Sequence, residues 1–232
     1  MVPMDLPHTI EGRFIRRDNR FRVTVEVDGQ EVAAHLPNSG RLGELLVPGR
    51  PCYLVPRAAA HRRTDYDLLL VAYAGILVSV DARLPNPLFA EAVAAGRLAP
   101  FPAVVAVEAE VAHGESRLDF RLQETGGLRW VETKSVTLVE EGVARFPDAP
   151  TKRGQRHLHE LQRLVEGGAR AAVVFVIQRP DAEAFSPHAQ ADPDFARALR
   201  DAREAGVGVY AFRCGVTRRA IAIAAPVPVA LD

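Results

Sequence analysis

The chain has 232 residues, 48% of them hydrophobic and 25% charged, enough for one large or two small globular units. Its 29 basic and 29 acidic residues cancel, which excludes a wholesale polycation and leaves only local basic faces. No apolar run approaches the ~18 residues that span a bilayer, and Met1 to Leu6 lack the basic start and apolar stretch of a leader, so no membrane partner is expected.

The residues up to the Pro85-Asn86-Pro87 boundary read as β. Phe21 to Val27 alternates apolar and polar residues and stops at Asp28-Gly29, a strong hairpin turn. Glu31 to Leu36 follows as its partner. Pro37 to Gly40 is a loop, Leu42 to Leu46 a short helical turn, and Pro48-Gly49 another turn. Strands at Cys52 to Pro56, Asp67 to Tyr73 and Ile76 to Val80 complete a set that fits a small OB-like barrel over residues 1–84. Cys52 and Cys214 have no CxxC partner, so they read as buried thiols in a reducing cytoplasm, not as a zinc or redox pair.

From residue 85 the pattern changes to α/β. Leu88 to Ala95 reads as a helix opened by proline and closed by Gly96. Val104 to Val111, Arg117 to Leu122 and Leu128 to Val136 read as strands. Thr151 to Val165 is helical, with Leu158, Leu161, Leu164 and Val165 on one face and Asp148 or Thr151 as its N-cap. Ala171 to Ile177 is a continuous apolar strand of the kind covered on both faces. Ala191 to Ala205 is a second helix, Gly208 to Cys214 a strand, and Ala220 to Ala224 an edge strand. Residues 85–232 are therefore expected to form a three-layer α/β domain with a mixed central sheet. The barrel edge and the last strand permit a homodimer and do not require one.

The chemistry concentrates in Ser116 to Phe120 and Trp130 to Ser135. Only two of the basic residues are lysines, Lys134 and Lys152, and Lys134 follows Glu132 by two positions inside an apolar strand. Residues two apart share a face of a strand, so Glu132 and Lys134 point together while Val131 and Thr133 point away. Asp119 ends the preceding strand and is expected beside Glu132, with Glu108 and Glu110 on the strand before. Carboxylates of this kind suit a hard divalent ion, magnesium or manganese, and an ammonium suits a phosphate. A cross-strand ion-pair network satisfies the same spacing. The flanking Trp130, Val131, Val136 and Leu138 argue against a plainly solvated strand.

Asp119 followed by Glu132-x-Lys134 and a charged helix resembles the PD-(D/E)xK nuclease-like superfamily. More narrowly, Ser116-Arg-Leu-Asp-Phe, Val131-Glu-Thr-Lys-Ser-Val-Thr-Leu, Phe146-Pro-Asp-Ala-Pro-Thr and Arg153-Gly-Gln-Arg-His-Leu-His-Glu-Leu are similar to the sugar fermentation stimulation protein A family. Arg16-Arg-Asp-Asn-Arg-Phe, His35-Leu-Pro-Asn-Ser-Gly-Arg-Leu and Pro85-Asn-Pro-Leu extend that similarity to nearly the whole chain. The resemblance implies an N-terminal OB-like domain joined to a nuclease-like domain, DNA binding with RNA not excluded, and a role in regulating sugar (maltose) metabolism. It carries Asp119, Glu132 and Lys134 over as the catalytic set, with Glu110, Asp119 and Glu132 as the metal ligands.

Two readings follow: a metal-dependent nuclease, and a DNA-binding regulator on a nuclease scaffold with little or no cutting. Candidate phosphate contacts are Arg16, Arg17, Arg20, Arg22 and Arg41 in the first unit and Lys152, Arg153 and Gln155 in the second. Phe21 is expected to turn from the arginines into the core, and His35 to be structural.

Overall fold

The computed structural model describes residues 3–57, 62–114 and 116–231. Strand β1 (Met4–Asp5) is followed by β2 (Ile10–Asn19), β3 (Arg22–Val27), β4 (Gln30–His35), β5 (Pro51–Pro56), β6 (Tyr66–Tyr73) and β7 (Ile76–Ser79). Strands β2 to β7 form one sheet in the order β4-β3-β2-β5-β6-β7. A parallel pairing of β4 with β6, Ala34 opposite Tyr66 and His35 opposite Asp67, closes five of them into the expected barrel. Asp28 and Gly29 sit at φ 51° and 77°, the two left-handed residues that a tight hairpin turn demands. Phe14, Val23, Val25, Leu36, Leu54 and Leu68 fill the interior.

Helix α1 (Pro85–Ala94) opens with proline in its first turn, where no backbone N–H is needed, and ends before Gly96 at φ 65°. Then come β8 (Val104–His113), β9 (Ser116–Glu124), β10 (Gly127–Val136), β11 (Leu138–Glu140), β12 (Val143–Phe146) and helix α2 (Lys152–Glu166). The chain continues through β13 (Arg170–Ile177), β14 (Ala184–Pro187), α3 (Pro193–Glu204), β15 (Gly208–Val216) and β16 (Ala220–Val227). The large sheet runs β1-β16-β15-β13-β10-β9-β8, with β10, β13 and β15 parallel and the flanking pairs antiparallel.

This is a three-layer α/β domain with a mixed sheet. Leu158, Leu161, Phe195 and Leu199 from α2 and α3 cover one face over Val173, Phe175 and Ile177. Leu88, Phe89 and Val93 from α1 cover the other over Val131, Val174 and Val176. Strand β13 is thus buried on both faces, as its unbroken apolar run requires.

Three features differ from the sequence expectation. The last strand is longer than Ala220 to Ala224 and is not an edge, because β1 pairs with it through Met4 and Ile221. The chain therefore touches the large sheet before it enters the barrel. A three-stranded sheet, β11-β12-β14, forms between the large sheet and α3, from segments too short to show a period. Phe21 lies in the β2–β3 turn and is 48% exposed, because its strand begins one residue later than the alternation implies.

The two units are joined by buried polar contacts. The Gln178 backbone carbonyl accepts from the Ser79 backbone N–H at 3.0 Å, and its side-chain amide donates to the Asp81 carbonyl at 3.0 Å. Arg179, fully buried, holds Asp181 and the Thr137 carbonyl while its guanidinium lies over the Tyr73 ring of the barrel. Among the described residues no helix is long and apolar enough to cross a membrane.

Candidate active site at the junction of barrel and sheet

Strand β10 presents Glu132 and Lys134 on one face, as a period of two demands. Lys134 Nζ donates to Glu132 Oε1 at 2.5 Å, and both side chains are largely buried. His157, buried in the second turn of α2, places Nδ1 on the same oxygen. Burial pushes the Glu132 carboxyl up, but the charge of Lys134 and the contact with His157 outweigh it and hold the group below the ordinary carboxylate range. The other oxygen, Glu132 Oε2, is buried and has no hydrogen-bond partner.

Asp119 reaches the site by a different geometry from the one the sequence implies. The β9–β10 ladder ends at Phe120 opposite Val131, and beyond it the strands part while β10 stays paired with β13. The Thr133 backbone N–H is released from the β9 ladder and donates to Asp119 Oδ2 at 2.8 Å. Thr133 Oγ1 lies 3.0 Å from the same oxygen and also within reach of Asn86 Oδ1, and its single proton serves one at a time. Asn86 Nδ2 donates to Asp119 Oδ1 at 3.0 Å. Thr133, expected to face away from the site, is thus the residue that orients Asp119.

Glu110, expected as the third carboxylate, lines the same cavity as Asp119 and Glu132, but its carboxylate is paired elsewhere. Its backbone is left-handed, at φ 54°, which interrupts the β8–β9 ladder between the Ala109–Phe120 and Val111–Leu118 pairs. Its carboxylate is exposed and pairs with Arg117 at 3.1 Å on the rim. Glu108 is likewise held by Arg121. Among the described residues no group of three or more His, Cys, Asp or Glu side chains gathers as a metal cluster.

Asp119, Glu132 and Lys134 open into a cavity of about 700 Å³. The barrel contributes Arg20 and the Asn38–Gly40 loop, the linker Arg83, the first turn of α1 Asn86, β12 Arg145, the segment before α2 Asp148, and α2 itself Arg153. Asp148 is not a helix cap. Thr151 caps α2 by accepting from the Gly154 backbone N–H at 3.0 Å. Asp148 Oδ2 instead accepts from the backbone N–H of Arg41 at 2.6 Å and of Leu42 at 3.3 Å, which ties the barrel loop to the second unit.

The predicted phosphate contacts divide. Arg20 and Arg153 line the cavity, whereas Lys152 lies on a shallow groove along α2 with Arg156 and His159. Arg41 is exposed beside the Asp148 contact. Arg16 is paired with Glu31 and Asp18, and Arg22 stands 3.7 Å from Asp18. Arg17 is a strut: its guanidinium donates to the carbonyls of Asn19 at 3.2 Å, Arg20 at 2.7 Å, Asn38 at 3.3 Å, Gly40 at 2.6 Å and Arg41 at 2.8 Å, which uses up the donors a phosphate would need. Gln155 donates to Asp192, the N-cap of α3, and is likewise occupied. His35 sits 3.3 Å from the buried Asp67, a structural contact.

Sequence reasoning missed His157 and Asn86. His157 belongs to the inward stripe of α2, four residues before Leu161 and seven before Leu164, and that spacing is the signal that would have found it. Asn86 carries no such signal, since only the fold brings it to Asp119.

An OB-like barrel leading into a three-layer α/β domain, whose sheet splits between an aspartate and a Glu-x-Lys strand, defines a two-domain α/β protein. The sequence matches the SfsA N-terminal OB domain over residues 15–80 and the Sugar fermentation stimulation protein RE domain over residues 83–220. It is 47% identical over 231 residues to a sugar fermentation stimulation protein homolog of Moorella thermoacetica, covering 98% of this chain and 100% of that one. The homolog of Desulforamulus reducens is 46% identical over 230 residues, covering 99% of this chain and 96% of its own. A solved structure of Pyrococcus furiosus SfsA in complex with Ca2+ superposes with a TM-score of 0.91 at 34% identity, covering 99% of both chains. The chain belongs to the sugar fermentation stimulation protein family.

Proposed function

We propose that this protein binds nucleic acid, DNA in the first instance, and hydrolyses its phosphodiester with a divalent metal ion held by Asp119 and Glu132. The observation that carries the reading is the state of Glu132: a buried carboxylate with one oxygen fixed by Lys134 and His157 and the other without a partner. A buried charged oxygen without a donor is costly unless something fills the position, and a hard cation does so. Asp119 fits the same ion, since its Oδ1 accepts a single hydrogen bond and keeps acceptor capacity. The related Pyrococcus furiosus protein was solved in complex with Ca2+. Calcium and magnesium both take oxygen ligands, so a carboxylate pair is chemically suited to either.

When bound, the ion supplies a lowered water pKa and neutralises charge that develops on the phosphate. The protein's own contribution is positioning. Lys134 brings an ammonium to the phosphate, and Arg20, Arg145 and Arg153 line the cavity and neutralise the strand that enters it. His157 and Asn86 keep the two carboxylates aimed.

The position of Glu110 favours a second reading. With the third carboxylate engaged by Arg117, the ion has two protein ligands, and the protein acts as a DNA-binding regulator of sugar metabolism that cuts slowly or not at all. Labelled single- and double-stranded DNA and RNA, incubated with magnesium or manganese, separate the two readings. Metal-dependent cleavage that disappears in Glu132→Ala and Lys134→Ala supports the nuclease. Binding without cleavage under either metal leaves the regulator, and absence of binding to every substrate refutes both.

A further inference from the structure

The β2–β3 turn carries an aromatic platform that the proposed catalytic chemistry does not use. Phe21 is 48% exposed on this turn, with the Arg20 guanidinium 5.6 Å from its ring centroid. Arg20 is also a wall of the junction cavity. A half-exposed phenylalanine beside an arginine offers ring surface and a positive charge together, the pair that recognises a base and its phosphate in a strand.

The turn is rigid. The Phe21 backbone N–H donates to Asn19 Oδ1 at 2.9 Å, and its carbonyl accepts from the Leu36 backbone N–H at 2.9 Å. Arg17 ties the Arg20 carbonyl to those of Gly40 and Arg41, and Asp148 ties the Arg41 and Leu42 N–H groups to the second unit. A run of hydrogen bonds therefore ties the platform to Asp148, which lines the same cavity as Asp119 and Glu132. A binding surface held this way loses little entropy on engagement.

Phe21 stands beside Arg20 at the edge of a cavity of about 700 Å³. In a duplex each base face is covered by its neighbours in the stack, so only an unpaired base can lie on the ring. We infer that the ligand of the junction cavity is single-stranded nucleic acid, guided in by a base stacked on Phe21 beneath Arg20. The inference rests on the nucleic-acid reading above and narrows it to a substrate class.

Fluorescence anisotropy in EDTA tests it, with the full chain and labelled DNA or RNA of about 12 nucleotides, within the site sizes that OB folds cover. The single strand is expected to bind at least tenfold more tightly than the blunt duplex of the same sequence. Phe21→Ala is expected to weaken single-strand binding roughly 5- to 150-fold, the range for loss of one stacked base, and to leave duplex binding unchanged. Phe21→Trp retains the wild-type affinity. Equal affinity for strand and duplex, or a Phe21→Ala protein that binds the strand as the wild type does, overturns the inference while nucleic-acid binding stands. Absence of binding to every probe overturns the broader reading as well. The arms with DNA and RNA identify which strand is the better ligand.

Discussion

Replacing Lys134 by methionine removes the positive partner of a buried carboxylate and leaves a side chain of similar length. The Lys134 and Glu132 side chains are 11% and 4% exposed, so water does little to compensate. Breaking a buried pair by deleting one partner costs about 3–5 kcal/mol, because the remaining charge is stranded. His157 stays on Glu132 Oε1 and keeps one charge-assisted contact, worth about 1.5–3 kcal/mol. The loss is therefore expected at the lower end, about 3 kcal/mol. Adding Glu132→Gln removes the stranded charge, and the double variant is expected to recover most of the loss. Urea denaturation followed by the fluorescence of Trp130, the sole tryptophan, reads the right unit, since that ring lies in the core beneath β10.

The pH dependence gives a second readout of the same pair. Glu132 has a folded pKa below its unfolded value, so its contribution is fully present above the unfolded carboxylate value of about 4.3. The contribution is lost as the pH falls through the folded value. In Lys134→Met, burial is opposed by His157 alone, and the acid-side slope of stability becomes shallower. A loss under about 1 kcal/mol, with no rescue by Glu132→Gln and an unchanged acid slope, would show that Lys134 does not hold the Glu132 charge.

Asp148→Ala leaves the backbone N–H groups of Arg41 and Leu42 without their acceptor, and a cost of about 1–3 kcal/mol is expected. Thermal denaturation measures it, and faster proteolysis within residues 38–42 locates it; wild-type behaviour in both would mean the tie carries no load. Burial pushes Cys52 and Cys214 up to about 12, so a thiol reagent at mildly alkaline pH is expected to label neither in the native protein and both after unfolding. Prompt labelling of the folded chain would contradict that. Arg145→Ala and Arg153→Ala are each expected to reduce the log–log salt slope of single-strand binding by about 0.7. An unchanged slope in either variant would remove that arginine from the phosphate path.

The fold was legible wherever a period outlasted a few residues. The Asp28-Gly29 hairpin, the apolar run of β13 and the stripe of α2 each carry a signal that packing later reinforces. The three-residue β11, the four-residue β12 and β14, and the two-residue β1 are shorter than a reliable alternation, and long-range pairing alone creates them. The same limit governs the site. Glu132 and Lys134 lie two apart on one strand, so local geometry sets their relation. Glu110, Asp119 and Asn86 depend on how separate elements meet, and a left-handed φ at Glu110 breaks the alternation of its strand, which the sequence does not show. The arginines show a further limit. Arg17 and Arg20 look equivalent in sequence, yet one spends its donors on backbone carbonyls and the other faces the cavity.

The parting of β9 from β10 explains why the site lies where it does. In an unbroken antiparallel pair the Thr133 N–H would be turned toward a ladder partner or solvent, and Asp119 would need another donor. Because the ladder stops at Phe120, the released N–H becomes the group that fixes Asp119, and the gap between strands becomes the floor of the cavity. A gap in a sheet exposes unpaired backbone, which is costly unless it is covered or used. Here the Asn38–Gly40 loop and Arg20 of the barrel supply one wall, and Asp148 anchors that loop from the other side. The barrel is therefore part of the architecture of the cavity, and its separation from the sheet would open that cavity and expose Glu132 to water. Loss of metal affinity in Asp148→Ala, measured by calorimetry with calcium, would follow from that dependence; unchanged affinity would confine the barrel to a role in strand binding.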